Sequence, residues 1–175
     1  MRLGRLLLLV VGFATALPAQ AQTASDRPAR CSAMIDPYWA AKDAIEPLFA
    51  RIDSTARARG EERAQDWTAL WMARVRERGR YLFEAASACH MHAFTNNNRE
   101  ASILYLRTLA MTQLNTSSMG ATEMEAVGLL LRLHGLGLLT QAEMDSSYAL
   151  LSQGADEAYN AVMRESQRVR LMLGI

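Results

Sequence analysis

Apolar residues recur every three to four positions over most of the chain, which is the spacing of one face of an α-helix. The first such stretch begins at Asp36, a capping residue followed by proline at the first helical position, and ends at Gly60. Pro47 lies inside it and should kink or split the helix. The expected buried face consists of Trp39, Ile45, Leu48, Phe49 and Ile52.

The second stretch, residues 61–94, contains no proline and is the longest predicted helix. It should end in the polar loop of residues 95–98. A helix of this length far exceeds the mean of about 11–12 residues in globular proteins. Gly79 is therefore the position where we expect it to bend or break.

Three further helices are predicted from capping residues followed by a glutamate three positions later. They begin near Asn97, Thr122 and Thr140. The expected core face of the first is Ile103, Leu106, Ala110 and Leu114, and that of the second is Met124, Val127, Leu130 and Leu131.

The end of the helix that starts near Thr122 is predicted at His134-Gly135, with glycine as the left-handed cap and Leu136 as its hydrophobic follower. In the last helix, Leu139 and Met144 are spaced as a hydrophobic staple around the cap. Glycine at position 154 should weaken its middle. The apolar residues that follow the helical period there are Met144, Tyr148, Leu151, Ala155, Ala158, Val162, Val169 and Met172.

Strand signals are missing from the sequence: we find no hairpin turn pattern and no sustained alternation of apolar and polar residues. The sequence therefore predicts an all-α fold, a single-domain bundle of four or five amphipathic helices around one core.

The amino terminus has the pattern of a secretory signal peptide. Arg2 and Arg5 precede an apolar run of eleven residues, 6–16, and Ala19-Gln20-Ala21 has the form of a signal-peptidase site. We expect a signal peptide over residues 1–21, a polar lead-in segment over 22–35 and a helical domain over 36–175. This organisation predicts a periplasmic or secreted protein.

The balance of basic and acidic side chains argues against nucleic acid as a partner. Without Arg2 and Arg5 the chain has 17 basic and 18 acidic side chains, so it lacks the basic excess of a nucleic-acid-binding protein. No later apolar run is long enough to cross a bilayer, so we expect no transmembrane segment after signal cleavage.

Cys31 and Cys89 both follow the predicted cleavage site. In an oxidising compartment an isolated even pair most often forms a disulfide, which is our prediction. The alternative is a metal site at Cys89, His90 and His92, since sulfur and imidazole suit copper or zinc. On a helix, however, His90 and His92 point about 200° apart, and we therefore expect no metal and no cofactor.

Two arginines interrupt the apolar face of the longest helix. Trp67 and Trp71 lie on this face, and Arg74 and Arg78 project from its middle. The arginines have three possible fates: they reach past the core edge to solvent, they pair with carboxylates of another helix, or they line a cleft with the tryptophans. The third makes these four residues a candidate partner-binding site for an anionic or aromatic group.

Motifs of established enzyme classes are not found: there is no serine elbow, phosphate loop, zinc-protease motif or calcium loop. We therefore assign no catalytic residues. The sequence favours an exported non-enzymatic helical protein that binds a protein or envelope partner. The alternative is a periplasmic metal- or cofactor-binding bundle that uses Cys89, His90 and His92.

Overall fold

The structure, a computed structural model, describes residues 26–96, 98–117 and 120–175. The predicted signal peptide and the first part of the lead-in segment lie outside these residues, as does Asn97. The side chains of Thr122 and Met124 are also outside the description.

The described residues form six helices and no strand, packed as one bundle. The helices are α1 (Arg27–Ser32), α2 (Asp36–Ala58), α3 (Glu62–Ala93), α4 (Arg99–Ser117), α5 (Gly120–Gly135) and α6 (Gln141–Leu173). The predicted all-α single-domain bundle is confirmed. The helix count is one higher than predicted, because part of the polar lead-in forms α1.

The short helix α1 is attached to α3 by a disulfide bond between Cys31 and Cys89, as predicted. Cys31, Met34 and Ile35 are buried, so the apolar residues of this segment pack into the core of the bundle. The bond closes a loop of 58 residues, and the chain-entropy model assigns such a loop a stabilisation of about 4 kcal/mol. A disulfide is compatible with an oxidising compartment.

Two residues expected to interrupt helices do not do so. Pro47 lies on the exposed side of α2, where solvent can satisfy the carbonyl group that loses its N–H partner, and α2 continues through it. Gly79 is buried inside the unbroken helix α3. A Cβ atom there would lie 2.6 Å from Cη2 of Trp39 and 3.1 Å from Cε1 of Tyr38. Glycine at position 79 thus makes room for the aromatic residues of α2.

The buried face of α4 differs from the prediction. The buried residues are Ser102, Tyr105, Leu109 and Thr112, whereas Ile103 and Leu114 are 37% and 61% exposed. The hydroxyl of Ser102 donates to the carbonyl of Asn98 at 2.8 Å, and that of Thr112 to the carbonyl of Thr108 at 3.1 Å. Because these hydroxyls have backbone partners, they can be buried while apolar side chains of α4 remain exposed.

The cap of α4 is Asn98, whose Oδ1 accepts hydrogen bonds from the backbone N–H groups of Glu100 and Ala101 at 2.9 and 3.3 Å. The cap had been predicted one residue earlier. Asparagine side chains at either position could perform the same function, so the sequence alone did not distinguish them.

The glycine that ends α5 is Gly137, not Gly135. Gly137 has a φ of 65°, and its N–H donates to the carbonyl of His134 at 2.8 Å. The N–H of Leu138 donates to the carbonyl of Leu133 at 3.1 Å, which completes a Schellman motif. The hydrophobic follower is therefore the buried Leu138 rather than the exposed Leu136, and Leu131 is also exposed.

The start of α6 is confirmed. Thr140 Oγ1 accepts from the N–H of Glu143 at 3.2 Å, and Glu143 Oε2 accepts from the N–H of Thr140 at 2.9 Å, so both halves of the capping box are present. Leu139 is buried in the core, and Met144 is half-buried and packs against the core. Farther along α6, Tyr148 and Met172 are exposed against expectation, whereas Ala155, Ala158, Val162 and Val169 are buried as predicted.

The core lies where α2, α3 and α6 meet, with α4 packed on α3 and α6 and α5 packed on α3. Phe49 of α2 and Trp71 of α3 stack at its centre, with ring centroids 3.9 Å apart. Among the described residues, no helix combines the length and the apolar character that crossing a bilayer requires.

Candidate functional site

A groove between α3, α5 and α6 contains three of the four predicted partner-binding residues. Its buried lining is apolar and comes from Tyr38, Trp71, Val75 and Leu130, and its more exposed lining includes Arg74, Arg78 and Tyr148. The cavity has a volume of about 60 Å³ and opens to solvent. We call it the α3–α5–α6 groove.

Arg74 connects two helices at this groove. Its Nη1 donates to Glu77 Oε2 at 3.0 Å within α3, and its Nη2 donates to Glu125 Oε2 of α5 at 3.1 Å. The hydrogen bond that Arg74 donates to Glu77, followed by the charge of Glu125, raises the pKa of Arg74 above its already high ordinary value. The guanidinium is thus a permanent positive charge, and its side chain is about one third exposed.

Arg78 is half-buried one turn farther along α3. It lines the groove and also a second cavity of about 230 Å³, whose lining includes Leu82, Asp156 and Tyr159. The Arg78 side chain is therefore part of the lining of two cavities, both on the α6 side of α3.

The two tryptophans have different environments. Trp71 is buried, stacks on Phe49 and lines the groove. Trp67 packs against the core and is not part of the groove lining, and the guanidinium of Arg132 lies over its ring at 5.4 Å from the centroid. The structure thus brings Trp71, Arg74 and Arg78 together and places Trp67 outside the groove.

Some groove residues were not predicted. Tyr148 was expected in the core but is exposed at the groove, and Val127 and Ser152 complete its α5 and α6 sides. No local pattern in the sequence could have indicated them, because their role depends on how α5 and α6 are rotated against α3.

The candidate metal ligands do not form a cluster. The sulfur of Cys89 is in the disulfide, and His90 is exposed. His92 is buried, stacks on Tyr105 with centroids 4.7 Å apart, and has Nε2 2.8 Å from Ser102 Oγ. Within the part of the chain that the structure describes, no three His, Cys, Asp or Glu side chains are placed to hold one ion.

His92 has an altered ionisation. Because Ser102 Oγ also donates to the carbonyl of Asn98, the hydroxyl is left to accept the proton of His92 Nε2. Burial, and then the positive charge of Arg168, lowers the pKa of His92 below its ordinary value of 6.5. The imidazole is therefore neutral at physiological pH and acts as a structural hydrogen-bond donor.

A second polar cluster, near the disulfide, was missed by sequence reasoning. Glu165 of α6 is only 4% exposed, and its carboxylate accepts hydrogen bonds from Nε and Nη2 of Arg168 at 2.8 and 2.5 Å. Nε of Arg30 lies 3.5 Å from its Oε2, and the hydroxyl of Tyr105 donates to its Oε1 at 3.4 Å. No local pattern indicates this cluster, because Arg30 and Glu165 are far apart in the chain and the spacing of Glu165 and Arg168 is that of an ordinary surface pair.

Comparisons with known proteins identified no relative of this chain. No protein-family model matches the chain, and neither a curated protein nor a solved structure is significantly similar to it. The functional interpretation therefore depends on the geometry of the groove and of the arginine cluster.

Proposed function

We propose that this chain is an exported, non-enzymatic helical protein that binds a protein or envelope partner through the α3–α5–α6 groove. The observation that supports this best is an apolar groove, open to solvent, with Arg74 and Arg78 in its lining. The signal-peptide pattern of residues 1–21 and the disulfide favour a periplasmic or secreted location.

The size of the groove favours a partner's side chain over a cofactor. Sites for small molecules usually measure about 300–1,000 Å³, whereas this cavity measures about 60 Å³. It can accept the end of one apolar side chain or acyl chain. A partner that inserts such a group would contact the buried faces of Trp71, Val75 and Leu130.

The arginines favour an acidic group beside that apolar anchor. Arg74 already binds Glu77 and Glu125, but all three side chains are partly exposed, and solvent screens such ion pairs so that they stabilise the fold little. A carboxylate of the partner can therefore replace Glu125 on Arg74 at little cost. The preferred partner carries an apolar residue next to Asp or Glu.

A pull-down from the envelope fraction tests the proposal. Val127→Trp places a large ring at the groove, and Leu131→Trp places the same ring on an exposed position of the same helix, outside the groove lining. We expect wild type and Leu131→Trp to retain the same partner, and Val127→Trp to lose it while its circular dichroism stays native. Arg74→Met should weaken retention. Equal retention by Val127→Trp and wild type contradicts a groove-bound partner.

A further inference from the structure

A further cavity, distinct from the two that Arg78 lines, lies between the end of α1 and the second half of α6. It is lined by Arg30, Ala33, Ala161, Arg164, Glu165 and Arg168, and its volume is about 290 Å³. We call it the arginine cavity. It shares no lining residue with the groove, so it is argued independently of the proposed function.

The arginine cavity has more positive than negative charge. Three guanidinium groups and one carboxylate line it, which leaves a net charge of +2. Glu165 is already held by two hydrogen bonds from Arg168. Arg164 is exposed and makes no ion pair with any residue in the described part of the chain. The positive charge of the cavity therefore exceeds the charge that the carboxylate of Glu165 neutralises.

Arg30 has unused hydrogen-bonding capacity at this position. Its Nε and Nη1 are buried, and neither donates a hydrogen bond to an acceptor among the described residues. Nε lies 3.5 Å from Glu165 Oε2, close enough for charge attraction but longer than a good hydrogen bond. Buried donors without an acceptor are costly, and a ligand oxygen that accepts from Arg30 once its guanidinium turns towards the cavity would remove this cost.

From this geometry we infer that the arginine cavity binds a dianionic oxyanion of the phosphate class, either free phosphate or a phosphomonoester, including the phosphomonoester headgroup of a lipid such as phosphatidic acid. Two excess positive charges match two negative charges. Guanidinium groups bind tetrahedral oxyanions through parallel N–H donors, so Arg30 and Arg164 can each contribute a charge-assisted contact while Arg168 stays on Glu165. About 290 Å³ accommodates a phosphate group with room for a substituent.

Calorimetric titration of the intact disulfide-bonded protein with inorganic phosphate, at constant ionic strength, tests this inference. We expect saturable binding to wild type and about tenfold weaker binding to Arg164→Gln, the effect of one lost charge-assisted hydrogen bond. Because Arg164 is exposed and forms no ion pair with another described residue, its replacement should leave the fold intact. Arg63→Gln, an exposed arginine of α3 that lines neither cavity, is the matched control and should bind like wild type.

Sedimentation with vesicles separates the two sources of phosphate. Vesicles of phosphatidylcholine with phosphatidic acid, whose headgroup is a phosphomonoester, are compared with vesicles of phosphatidylcholine alone. Binding to the anionic vesicles that Arg164→Gln weakens and Arg63→Gln does not supports a lipid headgroup, and binding of inorganic phosphate without vesicle binding supports a free ligand. If neither probe binds, or if the two variants lose binding equally, the site does not exist.

Discussion

Gly154 of α6 lies directly against Pro37 at the start of α2: a Cβ atom at position 154 would stand 2.6 Å from the carbonyl oxygen of Pro37. It would also stand 2.9 Å from the Cβ of Ala41. The two helices therefore meet backbone to backbone at this point. Glycine in the middle of α6 reduces helix propensity, but it permits the close contact that fixes α2 on α6.

Gly154→Ala should destabilise the protein by about 1–3 kcal/mol, the usual cost of overpacking, because the atom it approaches is a backbone oxygen that cannot rotate away. The control is Gly128→Ala in α5, where an added Cβ meets nothing within 4 Å and should gain up to about 1 kcal/mol in helix propensity. Urea unfolding of both variants measures the difference. Equal shifts of the two midpoints would mean that α2 and α6 are farther apart than described.

The capping box of α6 gives a second prediction. Thr140→Ala should cost about 1 kcal/mol, because the N–H of Glu143 loses its acceptor. Thr55→Ala is a suitable control, since Thr55 lies inside α2 and its hydroxyl only donates to the carbonyl of Arg51 one turn earlier. Thermal unfolding of the two variants should show a loss for Thr140→Ala alone. A matching loss for Thr55→Ala would remove the evidence for the cap.

The sequence predicted those features of the fold that depend on neighbouring residues. The capping box at Thr140, the helix end at Gly60 and the location of α3 need only local spacing, and the structure has them. The isolated cysteine pair was also sufficient to predict the disulfide. The helical content and single core followed from periodicity alone.

Features that depend on the neighbouring helix could not be predicted in this way. Apolar residues occur on several sides of α4, so periodicity could not identify the buried side, and the hydroxyls of Ser102 and Thr112 are buried because of hydrogen bonds invisible in the sequence. Gly79 was expected to break a helix and instead accommodates Trp39. The groove could be predicted only in part for the same reason. The sequence indicated its residues on α3 but not those on α5 and α6, whose positions depend on how these helices pack.

His92 should make stability dependent on pH. Its pKa is lowered in the folded state by burial and Arg168, so the unfolded chain binds the proton more readily. The stabilisation is complete above pH 6.5 and declines as pH falls below that value towards the lowered folded pKa. The groups that face the ring are Ser102, Tyr105, Glu165, Arg168 and Arg27.

Replacing His92 with glutamine tests this pH dependence. His92→Gln keeps a donor near Ser102 but does not titrate, so its free energy of unfolding should fall less steeply than that of wild type between neutral and mildly acidic pH. The exposed His90 provides the control, and His90→Gln should keep the wild-type slope. Denaturant unfolding at a series of pH values measures both slopes. Parallel curves for wild type and His92→Gln would show that the imidazole is already solvated.

Glu165 is the residue on which we expect a single change of charge to have the largest effect on folding. Its buried carboxylate has Arg168 and Arg30 as cationic partners, so Glu165→Gln keeps the shape and leaves two guanidinium groups without a counter-charge. Breaking a buried pair costs about 3–5 kcal/mol, and we expect the lower end, about 3 kcal/mol, because water reaches part of both arginines.

Glu157→Gln is the matched control for that change. Glu157 is exposed on the same helix and, among the described residues, accepts a hydrogen bond only from Gln153, so its replacement should alter stability by less than about 0.5 kcal/mol. Adding Arg168→Met to Glu165→Gln should recover part of the loss, because one stranded cation is removed. Chemical unfolding of the three variants distinguishes charge from packing. A double variant less stable than Glu165→Gln would contradict this expectation. It would mean that the aliphatic stem of Arg168 stabilises the fold by packing more than its uncompensated charge destabilises it, so that the cluster depends on contact area rather than on charge.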